Sequence, residues 1–419
     1  MATKNRTGPA ALAIAAAALL TSAVPSAGAN PTPASPATAP SLAPTWSSHF
    51  GAGKYYASPV VAGEHVYVGD ENGHLTKFPL ATGTAGPGFT PTWSTNECFN
   101  GIYGKAAVGH GKVFVSTIAG FVCAFDDVTP PVPGPDGVPR PRLVWRTQMP
   151  SKGWANGPVL VGDTVYATGH NGDVLALDQA TGTATWTANV GGSDAQHPLL
   201  ASPTVLGGTV YVGTFDGRIM SVIPPTAGAT GTATRIQGFE GRIADVLATD
   251  GTHLYAAVNH PSSPHSGTVR AVSVTTGGAI RWNYDTGRPS TYSGRVQAPA
   301  VVDGIVYVPT KTHIVYVDSE SGLWAKATAD AGLNQPTTPA VVNGVAYTGG
   351  IAAGGAASGA FQAFDAKTGA LLYYSRTDTV ANTSPAVAPD GKVLLGGGNS
   401  GQGGGVVWAY APANYQVNR

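Results

Sequence analysis

The sequence predicts an all-β, eight-bladed propeller closed by its own N-terminal strand, and three observations carry that prediction. A four-strand pattern returns eight times between Ser58 and Tyr410. Glycine and proline number 57 and 33 of the 419 residues while charged residues make up only 11%, a balance that suits turn-rich β structure and disfavours coiled coils and helical bundles. The eighth copy lacks its fourth strand, and a matching segment, Thr45-Trp46-Ser47, stands ahead of the first copy.

The chain begins with an address. Lys4 and Arg6 precede an apolar run from Ala10 to Leu20, and Ala27-Gly28-Ala29 supplies a small-residue cleavage site. Residues 1–29 therefore read as a secretory signal peptide. The run is too short for a membrane span, so a secreted, extracellular protein beginning at Asn30 is expected. Residues 30–44 contain Pro, Ala, Ser and Thr with no charge and no aromatic ring, which reads as a flexible linker. The propeller is assigned to residues 45–412 and a C-terminal tail to 413–419.

Within each copy a small residue, often before Pro, leads into a short apolar run. A Gly turn, a Val-Tyr-Val-like run, a second Gly turn, an alternating run ending in Asp, a Thr-Gly pair and a Trp follow. The clearest copy runs from Gly157 to Trp186. Four short runs separated by Gly, Pro, Asn or Asp read as four antiparallel strands. The aromatic of the second run can be followed as Tyr67, Phe114, Tyr166, Tyr211, Tyr255, Tyr307 and Tyr347, with Leu394 last. The steps are 47, 52, 45, 44, 52, 40 and 47 residues. Asn72-Gly73, Asn171-Gly172 and Asp216-Gly217 fall between the second and third runs, where a two-residue hairpin with positive φ at both positions is expected. One such sheet cannot cover both of its faces. Eight set radially bury each face against a neighbour. Trp46, Trp93, Trp145, Trp186, Trp282 and Trp324 then share an outer-strand position and are expected to pack between blades.

Residues 165–186, from Val165 to Trp186, resemble the repeat of PQQ-like propellers: Val-Tyr, a Gly, Ala-Leu-Asp, Thr-Gly and Trp at matching spacing. Looser copies are Val210 to Ser221, Gly267 to Trp282 and Phe361 to Tyr373. The resemblance extends from Trp46 to Tyr410 and implies the fold, since its motif consists of turn and packing residues. The family includes quinoprotein dehydrogenases, which hold PQQ over calcium, and binders such as the BamB lipoprotein. The dehydrogenases carry an adjacent cysteine pair; here Cys98 and Cys123 stand 25 residues apart, and no cofactor is expected. The lipid-bearing cysteine of BamB is absent as well.

In an exported protein Cys98 and Cys123 read as a structural disulfide, with buried free thiols or a reactive role as alternatives. Neither H-E-x-x-H nor a metal-binding Cys/His spacing occurs, so no metal site is expected; His260 and His265 read as solvated loop residues. Gly396 to Gly401 satisfies G-x-G-x-x-G but leads into a strand rather than a helix. It and the Gly/Ala stretch from Gly349 to Gly359 are expected to be hairpin loops. A balance of 23 basic and 23 acidic residues with no basic block argues against nucleic acid as a partner.

Candidate functional groups gather in the loops that lead into the first strand of each copy. They are Tyr56; Tyr103 and Lys105; Trp154 and Asn156; His197; Arg242 and Asp245; Arg295 and Gln297; and Gln335. Lys54, Tyr55 and Asn382 stand beside them. Aromatics, cations and amides converging on a funnel suit an anionic or carbohydrate-like ligand. The leading expectation is a monomeric binding scaffold for a protein, peptide or cell-envelope polymer. The alternative is a polysaccharide lyase or hydrolase in which Tyr56, Tyr103 or His197 moves a proton, Arg242 or Arg295 neutralises charge, and Glu240 or Asp245 supplies a carboxylate. A PQQ-dependent dehydrogenase ranks third.

Overall fold

The computed structural model describes residues 40–50, 53–81, 91–191, 201–226, 229–243, 245–260, 267–285, 297–310, 313–322, 325–327, 333–334, 336–352, 358–399 and 404–411. Every regular element among them is a strand. Seven four-stranded sheets and one five-stranded sheet make eight blades, and blade 2 also carries a small hairpin, Val132–Pro133 with Pro139–Arg140. Blade 3 shows the common plan: Val159–Val161, Thr164–Thr168, Asp173–Asp178 and Ala184–Asn189, each antiparallel to the next.

The repeat phase read from the sequence is the structural phase. In each blade the tracked residue pairs with the first residue of the inner strand. Tyr67 lies opposite Val60, Phe114 opposite Ala107 and Tyr166 opposite Val159, and so around to Leu394 opposite Ala386.

Both faces of these sheets are buried, which explains why successive residues in the middle of the second strand are apolar, as in Val66 to Val68, Val113 to Val115 and Val165 to Ala167. Alternate side chains point to opposite faces, so neighbours in sequence serve different neighbours in space. Tyr166 packs with Val210, Val212 and Met220 of blade 4. Val165 and Ala167 pack with Phe114, Val122 and Trp145 of blade 2. The buried side chains accordingly fall into eight clusters, each shared by two adjacent blades.

The Asp-x-x-Thr-Gly phrase has a mechanical reason. Asp178 Oδ1 accepts the backbone N–H groups of Ala180 and Thr181 and the Thr181 hydroxyl, so the carboxylate folds the turn. Gly182 then adopts a φ of 70°, and a Cβ there would stand 2.5 Å from the Trp145 ring. Trp145 of blade 2 lies on that turn and donates its indole N–H to Gln179 O at 3.0 Å. Trp282 of blade 5 repeats the contact on blade 6, with Gly322 beneath it and Ser319 O accepting at 2.9 Å. These tryptophans couple one blade to the next; Trp324 lies outside the described residues.

The ring closes as the sequence implies. Trp46–Phe50 runs antiparallel to Gly404–Tyr410, pairing Trp46 with Ala409 and Ser48 with Val407. Trp46 packs with Val66, Val68 and Phe78 of blade 1 and with Leu394 and Val407 of blade 8. Of the stretch read as a linker, residues 30–39 lie outside the described residues, as do 1–29 and 413–419. Pro40 to Leu42 is held on blade 7: Tyr374 N–H donates to Pro40 O at 3.1 Å, and Ser375 Oγ bonds both the N–H and the C=O of Leu42.

Two local expectations are corrected. The Asn-Gly and Asp-Gly turns do not carry positive φ at both residues: Gly73, Gly172 and Gly217 lie at 83° to 87°, while Asn72, Asn171 and Asp216 do not have positive φ. Gly73 N–H bonds Asp70 O and Asp70 N–H bonds His74 O. This is a three-residue loop whose glycine takes the left-handed position. Its preceding side chains can stay right-handed because Asp70 Oδ1 accepts from Asn72 and His74 N–H. The glycine stretches near 350 and 397 are not simply loops. Val345–Ala352, Gly359–Asp365 and Val393–Asn399 are strands. Glycine is required within them by close packing: a Cβ on Gly397 would meet Val380 O at 1.9 Å.

Candidate functional site

The inner strands ring a cavity of about 460 Å³. Its wall is built at one register. The residue two places before each inner strand lines it in all eight blades. Four of these carry hydroxyls, Ser58, Ser202, Thr338 and Ser384; three are apolar or small, Gly157, Val246 and Ala298; the eighth is Lys105. In blade 3 this position is a glycine because inner strands crowd together at the axis. A Cβ on Gly157 would lie 2.8 Å from the Lys105 backbone and 3.1 Å from Ser202 Oγ.

On one side the wall is aromatic. Tyr56, Tyr103 and Trp154 come from the lead-in loops of blades 1, 2 and 3. Tyr56 stacks on Tyr103 at 4.7 Å between centroids and 13° between planes, and Tyr103 on Trp154 at 5.6 Å and 27°. Lys54 Nζ caps the column 4.7 Å from the Tyr56 centroid, a cation–π contact. His170 closes the other end 5.9 Å from Trp154, and burial there lowers its pKa, keeping the imidazole neutral at pH 7.

The polar groups are positioned by a side-chain hydroxyl and by backbone. Asn156 Nδ2 donates to Thr168 Oγ1 at 3.1 Å. Asp245 Oδ1 accepts Val246 N–H at 2.7 Å and its Oδ2 accepts Ala298 N–H at 2.9 Å, joining blade 5 to blade 6. Lys105 faces water in the funnel, yet protein surrounds it, and the resulting desolvation lowers its pKa.

Of the residues singled out in the sequence, Tyr56, Tyr103, Lys105, Trp154, Asn156, Asp245 and Gln297 line this one cavity, as does Asn382. Arg242 is not among its lining residues; its guanidinium lies 4.5 Å from the Phe215 centroid, and its backbone bridges to Asn259. His197, Arg295 and Gln335 lie outside the described residues. The hydroxyls of Ser58, Ser202, Thr338 and Ser384 were not singled out, although each precedes a proline at a shared place in its copy. Cys98 and Cys123 form a disulfide with Cα atoms 6.0 Å apart. Both are buried in the slab between blades 1 and 2. His260 approaches Thr268 Oγ1 at 3.2 Å. Among the described residues no group of three or more His, Cys, Asp or Glu is placed to hold a metal.

The family described as outer membrane protein assembly factor BamB has a model that matches residues 139–256 and 265–414, together more than half of the chain. The chain belongs to this PQQ-like β-propeller family. Among curated proteins, none matches the sequence. Solved structures agree on the fold. BamB from Moraxella catarrhalis is 16% identical at a TM-score of 0.60, covering 90% of this chain and 99% of its own. The quinohemoprotein alcohol dehydrogenase from Comamonas testosteroni is 14% identical at 0.60, covering 88% and 76%. The computationally designed Ika8 protein is 14% identical at 0.64, covering 87% and 99%.

Among the described residues, the cavity wall does not match a site for the quinone and calcium of the dehydrogenase branch. The disulfide is buried in a blade interface rather than on the cavity wall. The carboxylate on that wall, Asp245, has each oxygen engaged by a backbone N–H. No step is assigned through that group.

Proposed function

We propose that the protein is an exported binding propeller that holds its ligand in the axial cavity. The supporting observation is the wall itself: three stacked aromatic rings from successive blades stand beside a lysine, amides and hydroxyls around one space. About 460 Å³ falls within the range of small-ligand and chain-end sites, roughly 300–1,000 Å³. The rigid ring pre-organises these groups, so little ordering opposes binding. The ligand class carried by this reading is a cell-envelope polymer or a fragment of one.

The test is a binding screen of glycans and envelope polymers against the secreted protein, with Trp154→Ala as the probe of the column. The variant is expected to weaken a detected interaction about tenfold or more, as loss of a buried aromatic contact does. Undiminished binding by the variant would exclude the cavity. Sequencing the N-terminus of the secreted protein tests export, with Asn30 expected first.

A further inference from the structure

The ring at the axis is chemically lopsided, and the imbalance concerns charge. Its described lining residues carry two charged side chains, Lys105 and Asp245. Asp245 is answered by two backbone N–H donors, Val246 and Ala298, which offset a carboxylate strongly. Lys105 has no counterpart: among the described residues no carboxylate or carbonyl lies within bonding distance of its ammonium. Crowded by protein but open to the funnel, the ammonium is partly desolvated, which lowers its pKa.

The neighbouring ring positions offer donors. Ser58 Oγ accepts Ser384 N–H at 3.0 Å, which leaves its own O–H to be donated. Thr338 differs, since its O–H is donated to Ala298 O at 2.7 Å. The stacked rings contribute as well. Tyr56, Tyr103 and Trp154 turn their faces toward one another and leave their edges to the cavity, and aromatic edges are the electropositive part of the ring. On the wall of blade 8, Asn382 holds a buried amide oxygen with no hydrogen-bond partner among the described residues.

We propose that the axial ring is an oxyanion seat. Lys105 and the hydroxyls of Ser58, Ser202 and Ser384 take a carboxylate or phosphate group, and the hydroxyl-bearing remainder of the ligand lies against Asn382 and the aromatic edges. The proposal rests on reading the cavity as a binding site and adds the chemistry of what binds. Two sources share that chemistry, a uronic-acid saccharide and a phosphorylated polyol.

Calorimetry with matched probes distinguishes them: trigalacturonate against neutral galactotriose, and glycerol phosphate against glycerol. Each is titrated into wild type, Lys105→Met, Lys105→Arg and Trp154→Ala, with thermal melts showing that each variant folds. In wild type one acidic probe is expected to bind at least about tenfold tighter than its neutral partner, as a charge-assisted contact implies. Which acid does so names the source. Lys105→Met should bring the ratio near one, while Lys105→Arg should keep most of it. Equal binding of acid and neutral probe, or a ratio that survives Lys105→Met, overturns the seat. Neutral binding that depends on Trp154 but ignores Lys105 overturns the seat and leaves the binding cavity standing; silence from every probe in wild type overturns both.

Discussion

A single carboxylate in the second blade shows how much of the fold depends on side chains that hold turns. Asp126 accepts the backbone N–H and hydroxyl of Thr129, a contact from Arg142 and the N–H of Val128. These bonds hold its pKa far below the ordinary carboxylate range, the Thr129 N–H having the largest effect. Because the folded pKa is depressed, the stabilisation is complete above the unfolded-state pKa of about 4 and fades as pH falls through the acid range. Replacing Asp126 with Asn should lower the melting temperature at pH 7 and flatten its decline between roughly pH 5 and 2. A variant as acid-sensitive as wild type would show that the turn is held otherwise. Residue-scale chemistry was partly legible in the sequence. Tyr56 and Tyr103 each stand eleven residues before the tracked aromatic of their own copy, so their equivalence could be read directly. Their stacking could not, because it depends on how far one blade is rotated from the next. Arg242 was expected at the mouth from its place in an entry loop; it is not among the residues lining the cavity, and its backbone bridges to Asn259 while its guanidinium lies over the Phe215 ring.

Among the elements, the leading strand has the most exposed duty. Trp46–Phe50 covers what would otherwise be the open edge of Gly404–Tyr410, and an uncovered edge invites pairing with another chain. A protein starting at Gly53 should melt markedly lower and form oligomers in size-exclusion chromatography; a monomer with an unchanged melt would mean that the strand is dispensable. This closure was readable because the eighth copy is visibly one run short. The glycine-rich strands around Gly349 and Gly397 were not, since glycine signals a turn locally. Only the approach of Val380 O to Gly397 reveals that the residue is small for packing. The Cys98–Cys123 bridge works at this scale too. It pins the lead-in loop of blade 2 to the third strand of that blade, and closing a loop of 25 residues removes about 3 kcal/mol of unfolded-state entropy by the chain-entropy model.

Across the whole molecule, stability belongs to interfaces rather than to blades. Each of the eight apolar clusters is shared by two sheets, so removing any blade exposes two faces at once. An open solenoid can fray from its ends; a closed ring has none. Chemical denaturation followed by tryptophan fluorescence and by far-ultraviolet circular dichroism should give one coincident transition. Two separated transitions would show that the ring divides into semi-independent arcs. The fold was legible at this scale from periodicity alone, and much of the axial wall from its lead-in loops, whereas Ser58, Ser202, Thr338 and Ser384 were too ordinary to attract notice, each a serine or threonine before a proline.

That arrangement sets the terms on which such a molecule can change its preferences. The positions facing the axis stand apart from the greasy slabs that hold the sheets together, so one frame carries a lysine in one blade and a serine or a glycine in others. Eight seats around one axis need not match one another, and so the guest they receive need not be symmetrical.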